Sequence, residues 1–144
     1  IIMRHVLEHL MDPVKSLSNI CKCLSGKGVL YIAVPNSLNP TNNIESRWFR
    51  VVHTYYFNKF TLSNVCRKSL LNPISIQEGD KYNKREVFVF ATRSPTPLPL
   101  TIDANHFIKQ NNVFLKTIKN QSNKTYQLLN NPLTTIRKVL NRFK

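Results

Sequence analysis

Three residue types that can manage a proton or hold a metal ion stand close together near the start of the chain. In Arg4-His-Val-Leu-Glu-His-Leu-Met-Asp-Pro13, His5, Glu8 and His9 occupy positions i, i+3 and i+4. If that stretch is helical, the three side chains leave on one face, one turn apart. Two imidazoles and a carboxylate on one face can bind a divalent cation or act as general base and acid. A later histidine, His53, precedes the aromatic run Tyr55-Tyr-Phe57 and joins the set if the intervening loop folds back. Trp48, Tyr55 and Tyr56 can wall a substrate, and Arg47 with Arg50 can hold an acidic or phosphorylated one. Each has a structural alternative. Glu8 or His9 can cap the next helix or fix a loop, Phe57 can be core, and exposed arginines are often merely solvated.

The elements that must position these groups follow from the apolar pattern. Ile1–Met3 reads as the tail of a buried strand, and His5–Leu10 as a short helical turn. Asp12-Pro13 is a helix start, with Asp as N-cap and Pro at the first helical position. Val14, Leu17, Ile20, Cys21 and Leu24 then form an apolar stripe at helical spacing. Gly26 and Gly28 end that helix. Val29–Val34 is a nearly uninterrupted apolar run, as in a strand covered on both faces, and it ends in Pro35-Asn36. Helix, turn and strand together make the second half of a βαβ unit.

Asn36–Asn43 reads as a loop. Thr61 can cap a helix over Leu62–Leu71, which Asn72-Pro73 ends. Pro73–Glu78 and Glu86–Thr92 form an antiparallel pair, with Val87-Phe-Val-Phe-Ala91 as an all-apolar core strand. The domain boundary falls at Ser94-Pro-Thr-Pro-Leu-Pro-Leu100, an extended proline-rich linker. Residues 101–144 form a basic helical tail. Asp103 caps a helix bearing Phe107, Ile108, Phe114 and Ile118, and polar Asn120–Lys124 weakens it. Pro132 opens a last amphipathic stripe of Leu133, Ile136, Val139, Leu140 and Phe143, which could touch an anionic membrane or pack on its own domain.

Composition bounds the rest. A chain of 144 residues with 42% hydrophobic content holds one core plus an appendage. No apolar run approaches bilayer-spanning length. The sequence opens on Ile1 rather than Met, so a missing targeting signal excludes little. Three cysteines without CxxC spacing read as reduced thiols, which places the protein in the cytoplasm, peripherally membrane-bound if the tail is amphipathic. The 21 Lys+Arg against 7 Asp+Glu give a net charge of +14. That excess allows phosphate-bearing partners, yet it also fits a chain rich in Asn, Lys and Ile and poor in Gly and Ala. There is no internal repeat.

The order His-Val-Leu-Glu-His, Asp-Pro, helix, Gly-x-Gly, strand ending Val-Pro-Asn, His before an aromatic cluster, helix and β-hairpin resembles the C-terminal half of class I S-adenosylmethionine-dependent methyltransferases. Within them it looks most like the bacterial methyltransferase-domain group whose fourth strand ends in His-Val-Leu-Glu-His. The resemblance covers Ile1 to about Arg93. It implies an α/β fold, the C-terminal half of a Rossmann-like sheet with strands four to seven and the last antiparallel, followed by the tail. Its domain assignments are 1–93 for this half domain, 94–100 for the linker and 101–144 for the tail.

By the same resemblance the cofactor lies across the carboxyl ends of the strands, near Met3, Arg4 and His5. His5, His9 and His53 become catalytic candidates. Glu8, His9 and His53 become candidate metal ligands, because the related small-RNA 2′-O-methyltransferases bind a divalent metal through Glu-x-x-Glu-His and a distant His. Here His5 replaces the first Glu. Arg47, Trp48, Tyr55 and Tyr56 face the acceptor, a small molecule or glycan, or a lipid-linked intermediate. Nucleic acid is disfavoured as a partner; the opposing reading is a non-catalytic basic module for nucleic acid or anionic membrane. The Gly-rich donor loop and the acidic residue on the ribose are not in the sequence, and Gly26-Lys-Gly28 precedes a strand instead of opening a helix. The chain is therefore expected to be a fragment, and neither to bind the donor tightly nor to turn over alone.

Overall fold

A computed structural model describes residues 1–40, 52–79 and 85–130. Arg47, Trp48, Arg50 and the 133–144 stripe lie outside the described residues. The fold is a small α/β domain built on an open, mixed, four-stranded sheet. Strand β1 (Ile2–Arg4) leads through a 3₁₀ turn (Leu7–His9) and helix α1 (Pro13–Cys23) to β2 (Val29–Pro35). Helix α2 (Lys59–Lys68), strands β3 (Leu71–Glu78) and β4 (Glu86–Arg93) and the long helix α3 (Ala104–Asn130) follow.

The sheet order is β1-β2-β4-β3. β1 and β2 are parallel, with Met3 opposite Ile32, as a helix crossover requires. β4 runs antiparallel between β2 and β3. Its first residue, Glu86, therefore stands opposite Pro35, at the carboxyl end of β2.

Every second strand residue points at α1 and α2. Leu30, Ile32 and Val34 of β2, Val87, Val89 and Ala91 of β4, and Met3 of β1 form one buried cluster with Leu17, Cys21 and Leu24 from the α1 region and Leu62 and Cys66 of α2. Fully buried leucines such as Leu17 and Leu62 each stabilise this layer by about 2–5 kcal/mol relative to alanine. Burial pushes the Cys66 thiol up to about 12.

The opposite sheet face differs from expectation. Val87–Ala91 alternates instead of being buried throughout, and Phe90 is 38% exposed. Ile2, Val29 and Ile74 are exposed as well. The rings of Tyr31, Phe88 and Phe90 pack on one another there, 5.0–6.3 Å between centroids. Helices α1 and α2 share one side of the sheet, so the described residues cover the sheet as one layer of helices, not two. The first strand is also shifted by one residue, to Ile2–Arg4. It is an edge, with Ile1 and Ile2 both exposed among the described residues.

Other boundaries moved for identifiable reasons. Asp12 caps α1 as expected, its carboxylate accepting from Lys15 N at 2.9 Å. That helix stops at Leu24 in extended backbone, and neither Gly26 nor Gly28 has positive φ. Helix α2 is capped by Asn58, not Thr61. The Asn58 side chain accepts from Phe60 N and Thr61 N, and Thr61 Oγ1 reaches back to accept from Asn58 N. The helix ends early because Leu70 takes the left-handed conformation (φ 58). β3 starts at once, absorbing Asn72-Pro73 with a register shift between Pro73 and Ser75. Polar Asn120–Lys124 does not interrupt α3, which runs unbroken for 27 residues. No described helix is long and apolar enough to cross a membrane.

Candidate functional site

The chemistry-bearing residues gather where β1 and β2 end. They do not get there by sharing a helical face. His5 sits in the left-handed region (φ 52), before the 3₁₀ turn begins. That reversal swings its ring back across the strand end, while the tight turn Leu7–His9 presents Glu8 and His9. Leu7 anchors the turn, fully buried in the core.

His5 faces carboxylate oxygen with both ring nitrogens. Nε2 donates to Glu86 Oε1 at 3.0 Å, and Nδ1 lies 3.3 Å from Glu8 Oε1. Arg4 Nη2 donates to the same Glu86 oxygen at 2.9 Å. Burial pushes the Glu86 carboxyl up, but the hydrogen bonds and charges of His5 and Arg4 outweigh it and hold it below the usual range. The bond to Glu86 in turn raises the pKa of Arg4.

Glu8 is the unusual group. It is 2% exposed, and neither carboxylate oxygen accepts a hydrogen bond. Among the described residues these are the buried side-chain polar atoms left in that condition. Its backbone carbonyl, by contrast, accepts from Thr54 N and Tyr55 N, which pins the 52–58 segment over the turn. That segment also bridges to β2's carboxyl end, with Ser37 N donating to Phe57 O at 2.7 Å.

The pinned segment brings His53 to the site. Its ring lies 4.9 Å from that of His9, centroid to centroid. His9 Nδ1 donates to the Val52 carbonyl at 2.7 Å, and its Nε2 lies 3.7 Å from Glu8 Oε1. One ligand atom each from Glu8, His9 and His53 falls within 4.8 Å of the others. That spacing is wider than the ligand shell of a single ion, so these side chains could hold a divalent cation only after closing in.

Tyr55 and Tyr56 stand at the rim. Tyr56 meets His53 edge-on at 6.3 Å, and the Tyr55 hydroxyl donates to Met11 O at 3.1 Å. Phe57 is core, as its structural reading had it. The Met3 side chain also lies in the core, so of Met3, Arg4 and His5 only the last two present side chains at the strand end.

The sequence reading passed over Glu86. It is one of only 7 acids in a strongly basic chain. It opens β4, and the antiparallel pairing of β4 with β2 sets it opposite Pro35.

A second polar cluster lies at the start of α3. His106, Asn58 and Ser37 are buried, and Gln110 joins them. Asn58 Nδ2 donates to His106 Nε2 at 3.2 Å and to Gln110 Oε1 at 3.0 Å. Ser37 Oγ donates to that same Gln110 oxygen, and Gln110 Nε2 donates to Ser37 O. Phe60 stacks on the His106 ring at 4.4 Å. Beside this cluster is a cleft of about 350 Å³, lined in part by Ile76, Glu78, Asp103 and Lys109.

No protein-family model matches this chain, and no curated protein matches it.

Proposed function

We propose that this chain supplies the acceptor side of an S-adenosylmethionine-dependent methyltransferase acting on a hydroxyl group of a small molecule, glycan or lipid-linked intermediate. The observation that supports the reading is the convergence of His5, Glu8, His9, His53 and Glu86 at the carboxyl ends of two parallel strands, in a sheet whose last strand runs antiparallel. Open α/β sheets bind their ligands at that edge.

The donor, when bound, supplies an electrophilic methyl group on a sulfonium. The residues of this chain have to strip or loosen the acceptor's proton and hold its oxygen in line. His9 has the fitting geometry. The Val52 carbonyl can only accept, so Nδ1 carries the proton and Nε2 of the neutral ring presents its lone pair. As the O–CH₃ bond forms and the S–CH₃ bond breaks, the hydroxyl proton passes to Nε2. The buried Glu8 carboxylate then faces the resulting imidazolium and offsets its charge. In this arrangement His5 is a positioning residue, its ring held between Glu86 and Glu8. Tyr55 and Tyr56 border the space an acceptor would enter. Gly26, Gly28 and Gly79 form no Gly-x-Gly-x-Gly loop after a strand, so tight donor binding calls for residues beyond these 144.

The test is transfer of tritium from S-[methyl-³H]adenosylmethionine to hydroxyl-bearing small molecules by the protein as its gene encodes it. His9→Ala is expected to lower transfer by about 10²-fold or more. Full transfer by His9→Ala, or none by the parent across acceptor classes, would sink the reading.

A further inference from the structure

Helix α3 is held to the domain by one face. His106 is buried there, Gln110, Val113 and Thr117 are half-buried, and His106 and Gln110 are bonded to Asn58 and Ser37. Ile108, Leu115 and Ile118 recur at helical spacing on the other side, 61%, 58% and 46% exposed. Single exposed apolar side chains are ordinary, but these share one row. Ile102, 92% exposed, stands just before the helix. Lys109, Lys116 and Lys119 are exposed along the same helix, and α3 contains no Asp or Glu. A hollow of about 400 Å³ beside the row is lined in part by Ile108, Val113, Lys109 and Lys116.

Charge and extent decide what covers this row. A second copy would set lysines against lysines, on chains that each carry +14. A stable protein partner needs roughly 800 Å² of matched surface on each side. The row from Ile108 to Ile118 is about 15 Å long at 1.5 Å per residue, and it is one side chain wide. A lipid surface needs no matched shape. It takes apolar side chains between its headgroups and meets lysines at the level of the phosphates.

We infer that α3 lies on an anionic membrane surface, with Ile108, Leu115 and Ile118 inserted below the headgroups and Lys109, Lys116 and Lys119 on the lipid phosphates. The contact is peripheral, since no described helix is long and apolar enough to cross a membrane. The bonds of His106 and Gln110 to Asn58 and Ser37 then tie the domain to that surface.

The inference stands apart from methyl transfer, and its test uses neither donor nor acceptor. The full chain is sedimented with vesicles of phosphatidylcholine containing about 30% phosphatidylglycerol, and with vesicles of phosphatidylcholine alone. Binding to the anionic vesicles is expected to be at least about tenfold stronger, and to fall steeply between about 0.1 M and 1 M salt. Leu115→Gln with Ile118→Gln should weaken it about tenfold or more, as should Lys116→Glu with Lys119→Glu. These side chains are exposed and glutamine and glutamate are good helix formers, so the variants should keep the parent's urea midpoint. Lys15→Glu with Lys22→Glu makes the same charge change on α1 and should hold binding within about threefold of the parent. Equal loss on that pair would mean attraction by bulk charge and would overturn the inference. So would loss on Ile136→Gln with Leu140→Gln while the α3 variants bind as the parent does. Tighter binding of an amphipathic leucine–glutamate peptide than of the anionic vesicles would give the face to an acidic protein instead.

Discussion

Two histidine clusters lie on this domain, and they are opposites in how their polar atoms are satisfied. Around His106 the described donors and acceptors interlock: Asn58 caps α2 with its oxygen and spends its amide nitrogen on His106 and Gln110, while Gln110 closes on Ser37. Around His9 the central carboxylate has neighbours but no hydrogen bond. Burial is similar at the two centres, 1% exposure for Asn58 and 2% for Glu8. The lesson is that equal burial covers two electrostatic conditions, a hydrogen-bonded network that rigidifies the fold and a carboxylate held near two imidazoles with no hydrogen bond to either.

The contrast can be broken by substitution. The largest effect is expected at Asn58→Ala, which removes a helix cap and orphans the buried groups around it. A loss of about 2–4 kcal/mol should appear in urea denaturation, and a loss below 1 kcal/mol would mean that the network is decorative. His106→Ala should follow at about 1–3 kcal/mol through lost stacking on Phe60 and an unmet Asn58 amide.

The other cluster should respond with the opposite sign. Glu8→Met, measured in EDTA, is expected to leave stability unchanged or raise it by about 1 kcal/mol, since it deletes a buried carboxylate that gains no hydrogen bond. A loss like that of Asn58→Ala would erase the distinction. The smallest effect is the pH dependence of the Arg4–Glu86–His5 tie. The folded-state pKa of Glu86 is lowered, so its contribution is complete above the ordinary carboxylate range. It disappears as pH falls through the lowered value. Glu86→Gln should flatten that acid limb by about 1 kcal/mol or less, read from urea midpoints between neutral pH and about pH 3.

Much of the frame was legible because period and punctuation agree in this chain. Asp12-Pro13 marked α1, and apolar runs marked β2 and β4. Their neighbours were not legible. Val87-Phe-Val-Phe-Ala91 is apolar at every position, so the sequence could not tell which side would lack a helix. Leu70 gives no local hint of its left-handed backbone, which ends α2 before Asn72-Pro73. The convergence of Glu8, His9 and His53 was anticipated, but for a different geometric reason: a helical face was assumed where a reversed residue and a 3₁₀ turn do the work. Tautomers, orphaned oxygens and the part played by Glu86 depend on strands from distant sequence, and spacing does not encode those.

The sheet face away from the helices carries a colloidal consequence. Ile2, Val29, Ile74 and Phe90 offer an apolar surface, and among the described residues β1 is an edge, on a molecule with a net charge of +14. Like charge keeps such surfaces apart while the screening length is about 10 Å, near 0.1 M salt, and stops doing so when it shrinks to about 3 Å near 1 M. Raising ionic strength should therefore drive these molecules together face to face, so the basic residues act as a spacer whose reach is set by the buffer.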